Sequence, residues 1–547
     1  MRWWGWGRDE DAIELPAPAA ELLRGELGLS GDERGVRVEL DAVAVPAARL
    51  NEAARQALGA IVGADAVSGD HGVRVAHAAG RSYPDLVHLR AGDGSGAPDA
   101  VVFPSTSAQL APLLAACAQH GVAVIPFGGG TSVVGGVEAL PGDHHAAITL
   151  DLSRLNAVVD VDTRSLTATV EPGIFGPELE RQLGHAGLTL GHFPQSFEYS
   201  TVGGWVATRS AGQASTGYGR IDELVEAVRC VTPAGELATL DAPASAAGPS
   251  LRELVVGSEG ILGVISSATL RVRPAPAQQR YEAWSFPSFE AGAEAFRALE
   301  QSGASPDVAR LSDEEETRLT MALGSSGGLA DKIGKLYLRT FGNADGCIAF
   351  TGFDGSSDDI ARRRGRTAEI LRAHGAAALG TKPGRSWLRG RFAAPYLRDE
   401  LMDRGVMVET LETATTWTYL PSLYAAVRDT LRKTLTDGGT PPAVMCHISH
   451  LYPSGASLYF TFIARQRQGE EIDQWRAAKT AACDAIVATG GTITHHHAIG
   501  TDHRAWMPTE IGPLGVDILR TVKDRVDPAG IMNPGKLLPG PSRLPDP

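Results

Sequence analysis

Three consecutive histidines, His495, His496 and His497, stand near the C-terminus in the stretch "GGTITHHHAIGTDHRAWM". Metal ligation, proton handling and surface decoration are all open to such a run. If the Thr-Ile-Thr before it continues as a strand, alternation sends His495 and His497 to one face and His496 to the other. The three then cannot serve one metal or one substrate equally. A metal site also prefers spaced ligands and a carboxylate, and the nearest acid, Asp502, lies further along a loop-like segment. No metal is expected, and proton handling is the reading preferred for the triplet.

A second kind of chemistry is suggested by "PFGGGTSVVGG", residues 126–136. It has neither the Rossmann spacing nor the Gly-Lys-Ser/Thr of a Walker loop. Three glycines after a strand leave backbone N–H groups bare for close approach to a phosphate, and Thr131 and Ser132 add hydroxyls. A lone triple glycine is more often a flexible turn, but this one has companions. "PQSFEYSTVGGWVATRSAG" is a second loop of small and hydroxyl residues, and "VVGSEGILGVISSATLRV" is a third.

The rest of the chain must position these groups. Its 547 residues exceed one small core, so two or three domains are expected. Hydrophobic content of 43% and charged content of 21% describe an ordinary globular protein, and a formal net charge of -14 argues against a nucleic-acid partner. Cys117, Cys230, Cys347, Cys446 and Cys483 form no CxxC pair, as in a reduced, cytoplasmic protein. Neither a signal peptide nor a membrane span is evident. Residues 1–95 alternate helical and loop signals and read as an N-terminal helical extension. A strand from Ala100 to Phe103, an amphipathic helix and a strand from Ala123 to Pro126 then open a compact α+β domain over 96–275. Beyond Pro274 and Pro276, helices near Phe289–Gln301, Asp358–His374 and Leu420–Thr436 alternate with strand-like "GCIAFTGF" and "ASLYFTFIAR". This is a second domain, 276–507, and a C-terminal segment, 508–547, returns toward the first.

The three loops, in their order and spacing, resemble the FAD-binding domain of the vanillyl-alcohol oxidase / p-cresol methylhydroxylase (PCMH) superfamily, and "NPGK" near the C-terminus fits as well. The fold implied is α+β: a two-lobed PCMH-type FAD-binding domain plus a C-terminal α+β cap or substrate domain. The resemblance implies FAD contacts from Pro126, Phe127, Gly128, Gly129, Gly130, Thr131 and Ser132 in the first loop. It implies others from Pro194, Ser196, Ser200, Thr201, Gly203, Gly204, Ala207, Thr208, Arg209 and Ser210 in the second. The third supplies Glu259, Gly260, Gly263, Val264 and Ile265. His77 and His88 lack a tethering context and read as surface or helix-cap histidines, so non-covalent FAD is expected.

The second half narrows the resemblance. "RWWGWG", "PDVARLSD", "PYLRDELMDRGVMVETLETATTW", "CHISHLYPSGASLYFTF" and "THHHAIG" are similar to segments of the alkyl-dihydroxyacetonephosphate synthase family. That family implies exchange of the acyl chain of acyl-dihydroxyacetone phosphate for a fatty alcohol. An ether bond forms through a flavin N5 adduct, without net redox. By the same resemblance Tyr459 handles the proton, and the neighbouring histidines share it because an ordinary tyrosine pKa of about 10 is too high for neutral pH. Arg310 is placed in the active site, while Arg398, Glu412 and His447 are placed on the substrate. Lipid-derived small-molecule substrates, a homodimer and a peripheral membrane contact are further implications. The alternative is an FAD-dependent D-2-hydroxyacid dehydrogenase of the lactate/glycolate type. Where those enzymes carry "GHxGDGNxH" and "EHGxG", this chain reads "CHISHLYPSG" and "THHHAIG".

Overall fold

The computed structural model describes residues 1–15, 17–324, 343 and 345–540. Residues 541–547 of the expected C-terminal segment lie outside the described residues. No helix among them is long and apolar enough to cross a membrane.

Apolar runs in the first half become buried strands, parallel except at one short edge strand. β1 (Val67–Ser68), β2 (Ala100–Val102), β3 (Val122–Phe127) and β4 (Ala146–Asp151) form a sheet in the order β1-β2-β4-β3. β3 and β4 pair in parallel and are buried along nearly their whole length, which is why they read as continuous hydrophobic runs and not as alternation. The helix Leu110–His120 crosses over between β2 and β3 and ends on Gly121, whose φ of 61° gives the left-handed cap that a side chain would resist. The chain ends of this domain come from both directions. The helix Glu52–Val62 packs against the crossover helix, and near the C-terminus Asn533 N–H bonds to Val124 O at 2.9 Å.

The second lobe is antiparallel. β5 (Val158–Asp162), β6 (Thr167–Val170), β8 (Val225–Thr232), β9 (Gly235–Ala238) and β10 (Val264–Arg271) run β5-β6-β10-β8-β9. A separate short ribbon pairs β7 (Leu188–Thr189) with β11 (Arg273–Pro274).

The second domain is an eight-stranded antiparallel sheet. Its strands are β12 (Gln278–Phe286), β13 (Val308–Ser312), β14 (Cys347–Gly355), β15 (Ala377–Gly380), β16 (Val406–Thr416), β17 (Ala443–Ile448), β18 (Leu451–Tyr452) and β19 (Gly455–Arg465). The order is β15-β12-β14-β13-β17-β19-β16, with β18 folded onto β19. Period-two alternation divides its faces. Leu311, Cys446, Phe460, Phe462 and Leu411 enter the core beneath the helices Phe289–Gln301, Leu420–Asp437 and Glu471–Ala488. Residues of the other phase, Arg310, Met445, His447, Tyr459, Thr461, Val408 and Thr410, line a cavity.

The segment expected to be one N-terminal extension is divided between the two domains. Leu15, Leu23 and Leu27 pack with Val406, Val408 and Ile463 of the second sheet, whereas Leu50, Ala54 and Leu58 belong to the core of the first.

Candidate active site

Between the domains lies a cavity of about 500 Å³. One wall is the three sequence-predicted loops: of the residues expected there, all but Arg209 and Val264 line it. Val264 points into the core, fully buried, because it sits on the inward phase of β10. Arg209 is turned outward, with Nη2 2.8 Å from Glu253 Oε2 and Nη1 3.4 Å from Asp222 Oδ2. Neither residue therefore lines the cavity. The first loop is cut to glycine: a Cβ at Gly129 would stand 1.7 Å from Tyr199 O. Backbone drawn this close leaves main-chain groups at the cavity wall, as a dinucleotide pyrophosphate requires.

The opposite wall is built from side chains. Antiparallel register sets His447 opposite Tyr459, and Tyr459 opposite Glu412. His447 and Tyr459 stack with centroids 4.8 Å apart and 18° between planes. Arg310 Nη1 contacts His447 Nε2 at 2.9 Å, and Arg310 Nη2 donates to Glu316 Oε1 at 2.6 Å. Glu316 also meets His447 Nδ1, at 3.1 Å through Oε2. Burial opposes ionisation of Glu316, but His447 and the Arg310 guanidinium overcome it and hold its carboxyl at about 2. Burial pushes the Tyr459 phenol up to about 12, so it is a firmly protonated O–H donor. Glu316 was not foreseen. It lies at the third position of the acidic run "EEE", where sequence offers no reason to choose it over its neighbours.

The histidine triplet is not on a strand. Residues 494–499 are irregular, so the expected alternation fails: His496 and His497 both line the cavity, and His495 lies behind them. Glu412 explains the shape. It is 2% exposed and accepts the N–H groups of His495 at 2.6 Å, His496 at 2.9 Å and His497 at 2.7 Å, together with the Thr494 hydroxyl at 2.6 Å. Burial alone would raise its carboxyl, but the four N–H and O–H donors gathered on it hold it well below the usual carboxylate range. Glu412, expected on the substrate, does not line the cavity and instead gathers the loop that does. Glu259 holds the other end of the same loop, accepting Ile499 N–H at 2.8 Å and Gly500 N–H at 2.7 Å. The loop hangs between two carboxylates, one from each domain. Ala498 between them adopts φ 74°, a region costly for any side chain.

Burial pushes all three imidazoles of the triplet down, His497 to about 3, so they are neutral acceptors at physiological pH. His497 Nδ1 is buried without a partner. His495 Nε2 meets the Tyr452 hydroxyl at 2.6 Å and its Nδ1 faces His496 Nδ1 at 3.0 Å. Ring nitrogens of His450, His495 and His496 lie within 4.8 Å of one another, a spacing compatible with a metal, where the sequence suggested none. His450 was not foreseen either. Its Nδ1 is bonded to the Ser215 hydroxyl at 2.5 Å.

Arg398 lines the cavity on the helix Ala394–Met402. Its Nη1 donates to Arg81 O at 2.6 Å, while Nε and Nη2 are buried with no partner. Further from the loops, Leu23, Leu319, Leu397, Leu401, Met445 and Ile463 give the cavity an aliphatic end. His77 stands outside the cavity lining. It ends the helix His71–Ala76, and its ring nitrogens engage Val73 O and Asp151 Oδ2, each at 2.8 Å. His88 pairs with Asp93 at the surface.

Known proteins place this arrangement. Residues 98–241 match the protein-family model "FAD binding domain", and residues 275–537 match "FAD linked oxidases, C-terminal domain". The alkyldihydroxyacetonephosphate synthase of Dictyostelium discoideum is 35% identical over 482 residues, covering 87% of this chain and 79% of that one. The Trypanosoma brucei brucei protein of the same name is 33% identical over 572 residues, covering 99% and 93%. The chain belongs to the alkyldihydroxyacetonephosphate synthase family. A solved alkyldihydroxyacetonephosphate synthase superposes with a TM-score of 0.85 at 30% identity, covering 98% of both chains. A solved p-cresol methylhydroxylase, at 15% identity and a TM-score of 0.65, shares the fold. The protein is an FAD-dependent enzyme of PCMH-type fold.

Proposed function

We propose that this enzyme exchanges the acyl chain of an acyl-dihydroxyacetone phosphate for a fatty alcohol, forming an ether bond without net redox. One observation carries the reading. A protonated tyrosine, neutral histidines and an arginine with free donors face the cofactor wall across a single cavity, and that cavity continues between aliphatic side chains.

Each part has a task. Arg398 offers two unpartnered N–H groups to a phosphate or a departing carboxylate, the oxyanions for which a guanidinium fork is suited. His496 and His497, held neutral, accept a proton from the substrate carbon and pass it through Tyr459, whose hydroxyl returns it. Arg310, clamped by Glu316 and His447, fixes the stacked His447–Tyr459 pair in place. The leucine, methionine and isoleucine side chains receive an alkyl tail. FAD, when bound, supplies a centre that takes up and releases the substrate carbon without passing electrons on. We hold FAD to be non-covalent, since both ring nitrogens of His77 are already engaged. A homodimer and peripheral membrane contact belong to the same proposal and rest on the family alone.

The test is anaerobic. FAD-loaded protein is mixed with acyl-dihydroxyacetone phosphate and a labelled long-chain alcohol, with no electron acceptor. Labelled ether lipid with released fatty acid is the expected result. No ether, with flavin bleached by a D-2-hydroxy acid and recoloured by an acceptor dye, replaces the proposal with the dehydrogenase alternative.

A further inference from the structure

The hexapeptide "RWWGWG" (residues 2–7) is folded inward against the active site. Gly5, Trp6 and Gly7 are buried, and Trp6, 3% exposed, lines the cavity. Three ties hold it. The Trp6 N–H donates to Asp399 Oδ2 at 2.5 Å, Arg81 Nε donates to Gly5 O at 3.1 Å, and Arg81 Nη2 donates to Arg2 O at 2.9 Å. These ties converge on Arg398, which is the sequence neighbour of Asp399 and donates to the carbonyl of Arg81. The Trp6 ring meets Tyr199 edge-on at 5.6 Å, and so lies beside the loop in which Gly129 abuts Tyr199 O.

The indole Nε1 of Trp6 is buried and has no hydrogen-bond partner. Buried indoles ordinarily find an acceptor, and leaving one without is costly. Arg398 Nε and Nη2 are also buried without partners, on a residue lining the same cavity. Orphan donors with one polarity, brought from the N-terminus and from a helix about four hundred residues later, are what a site for anionic oxygens looks like before its ligand arrives.

We propose that Trp6 is a substrate-contacting residue: its indole N–H and the free N–H groups of Arg398 together bind one oxyanion of the substrate, a phosphate or a fatty carboxylate. This rests on the function proposed above and adds to it a residue from the N-terminal segment. The inward fold of the hexapeptide serves to deliver that donor. Two sources of the oxyanion share this chemistry, the phosphate that stays and the carboxylate that leaves.

The test uses the FAD-loaded full chain and requires no turnover. Glycerol 3-phosphate and laurate are titrated separately and binding is followed by perturbation of the flavin absorbance. Trp6→Phe removes the N–H but keeps an aromatic ring against Tyr199. Its affinity for one of the two anions should fall about five- to tenfold, as expected for loss of one hydrogen bond to a charged group, with FAD affinity unchanged. Loss for glycerol 3-phosphate assigns the subsite to the phosphate, and loss for laurate assigns it to the carboxylate. Unchanged affinity for both anions overturns the proposal, as does failure of the wild type to bind either. A fall in FAD affinity instead overturns it in favour of the cofactor's own pyrophosphate. If Trp6→Phe does not fold, a chain carrying benzothienylalanine at position 6, isosteric with tryptophan but without the N–H, is measured in its place. Anion binding that depends on Trp6 in a protein without ether-forming activity would remove the proposed function and leave the subsite standing.

Discussion

The two walls of the cavity are made by different means. The wall proposed for the cofactor is backbone: glycines, small residues and hydroxyls at strand ends, with charged side chains such as Arg209 turned outward into ion pairs. The wall proposed for the substrate is side chains: Arg310, Glu316, His447, Tyr459 and the histidine loop hold one another by ion pairs, stacking and N–H bonds. A large invariant cofactor can be held by main-chain geometry, which tolerates no added atom. Chemistry on a changing substrate requires titratable groups, and in a buried site these must be fixed and tuned by one another.

The comparison breaks first at Gly129. Gly129→Ala places a methyl against a carbonyl at 1.7 Å, and the clash is with backbone. The expected product is colourless protein with FAD affinity reduced by at least about 100-fold, by the scale of a misplaced contact at a site of this precision, measured by absorbance after desalting and by FAD titration. Tyr459→Phe tests the other wall. It should remain yellow and lose about 10² to 10⁴ of kcat, the usual range for removing a proton-transfer group; near-normal turnover would remove Tyr459 from the chemistry.

Smaller effects sharpen the contrast. Glu412→Gln keeps the size of the residue that gathers the triplet but weakens its acceptance of three N–H groups. Stability should fall by about 1–3 kcal/mol in thermal unfolding, with kcat lowered more than FAD affinity. A carboxyl held below its ordinary value contributes stability above about pH 4.5 that is lost as pH falls. The wild type and variant melting curves should therefore converge in acid and separate above that pH. Ala498→Gly offers the smallest change and the opposite sign. The left-handed φ of 74° favours glycine, so the variant should gain about 0.5–1 kcal/mol, visible as a rise in melting temperature.

Much of the glycine-loop wall of the cavity was legible because its signal is local. A glycine run after an apolar strand, or a cluster of Ser, Thr and Gly, carries its meaning within about ten residues. The misses there, Arg209 and Val264, are a matter of side-chain direction at a loop end and a strand start. Strands of the second sheet were also visible as "GCIAFTGF" and "ASLYFTFIAR", observed at Cys347–Gly355 and Gly455–Arg465. What those strands face was not. Glu412 and Tyr459 could be named from motifs, but only the hydrogen bonds from residues 495–497 show that the carboxylate opposite Tyr459 sits under the histidine loop.

The sequence by itself determined the two-domain α+β plan, the flavin loops and the residue types needed for acid–base and oxyanion chemistry. Tertiary structure alone decided the pairings: Glu412 with a loop 83 residues later, Arg398 with a carbonyl 317 residues earlier, Trp6 with Asp399 at a separation of 393. Periodicity and turn chemistry are properties of neighbouring residues and survive in a one-dimensional string. A hydrogen bond across hundreds of residues exists only after packing has brought both ends together and excluded water, and no spacing in the chain records it.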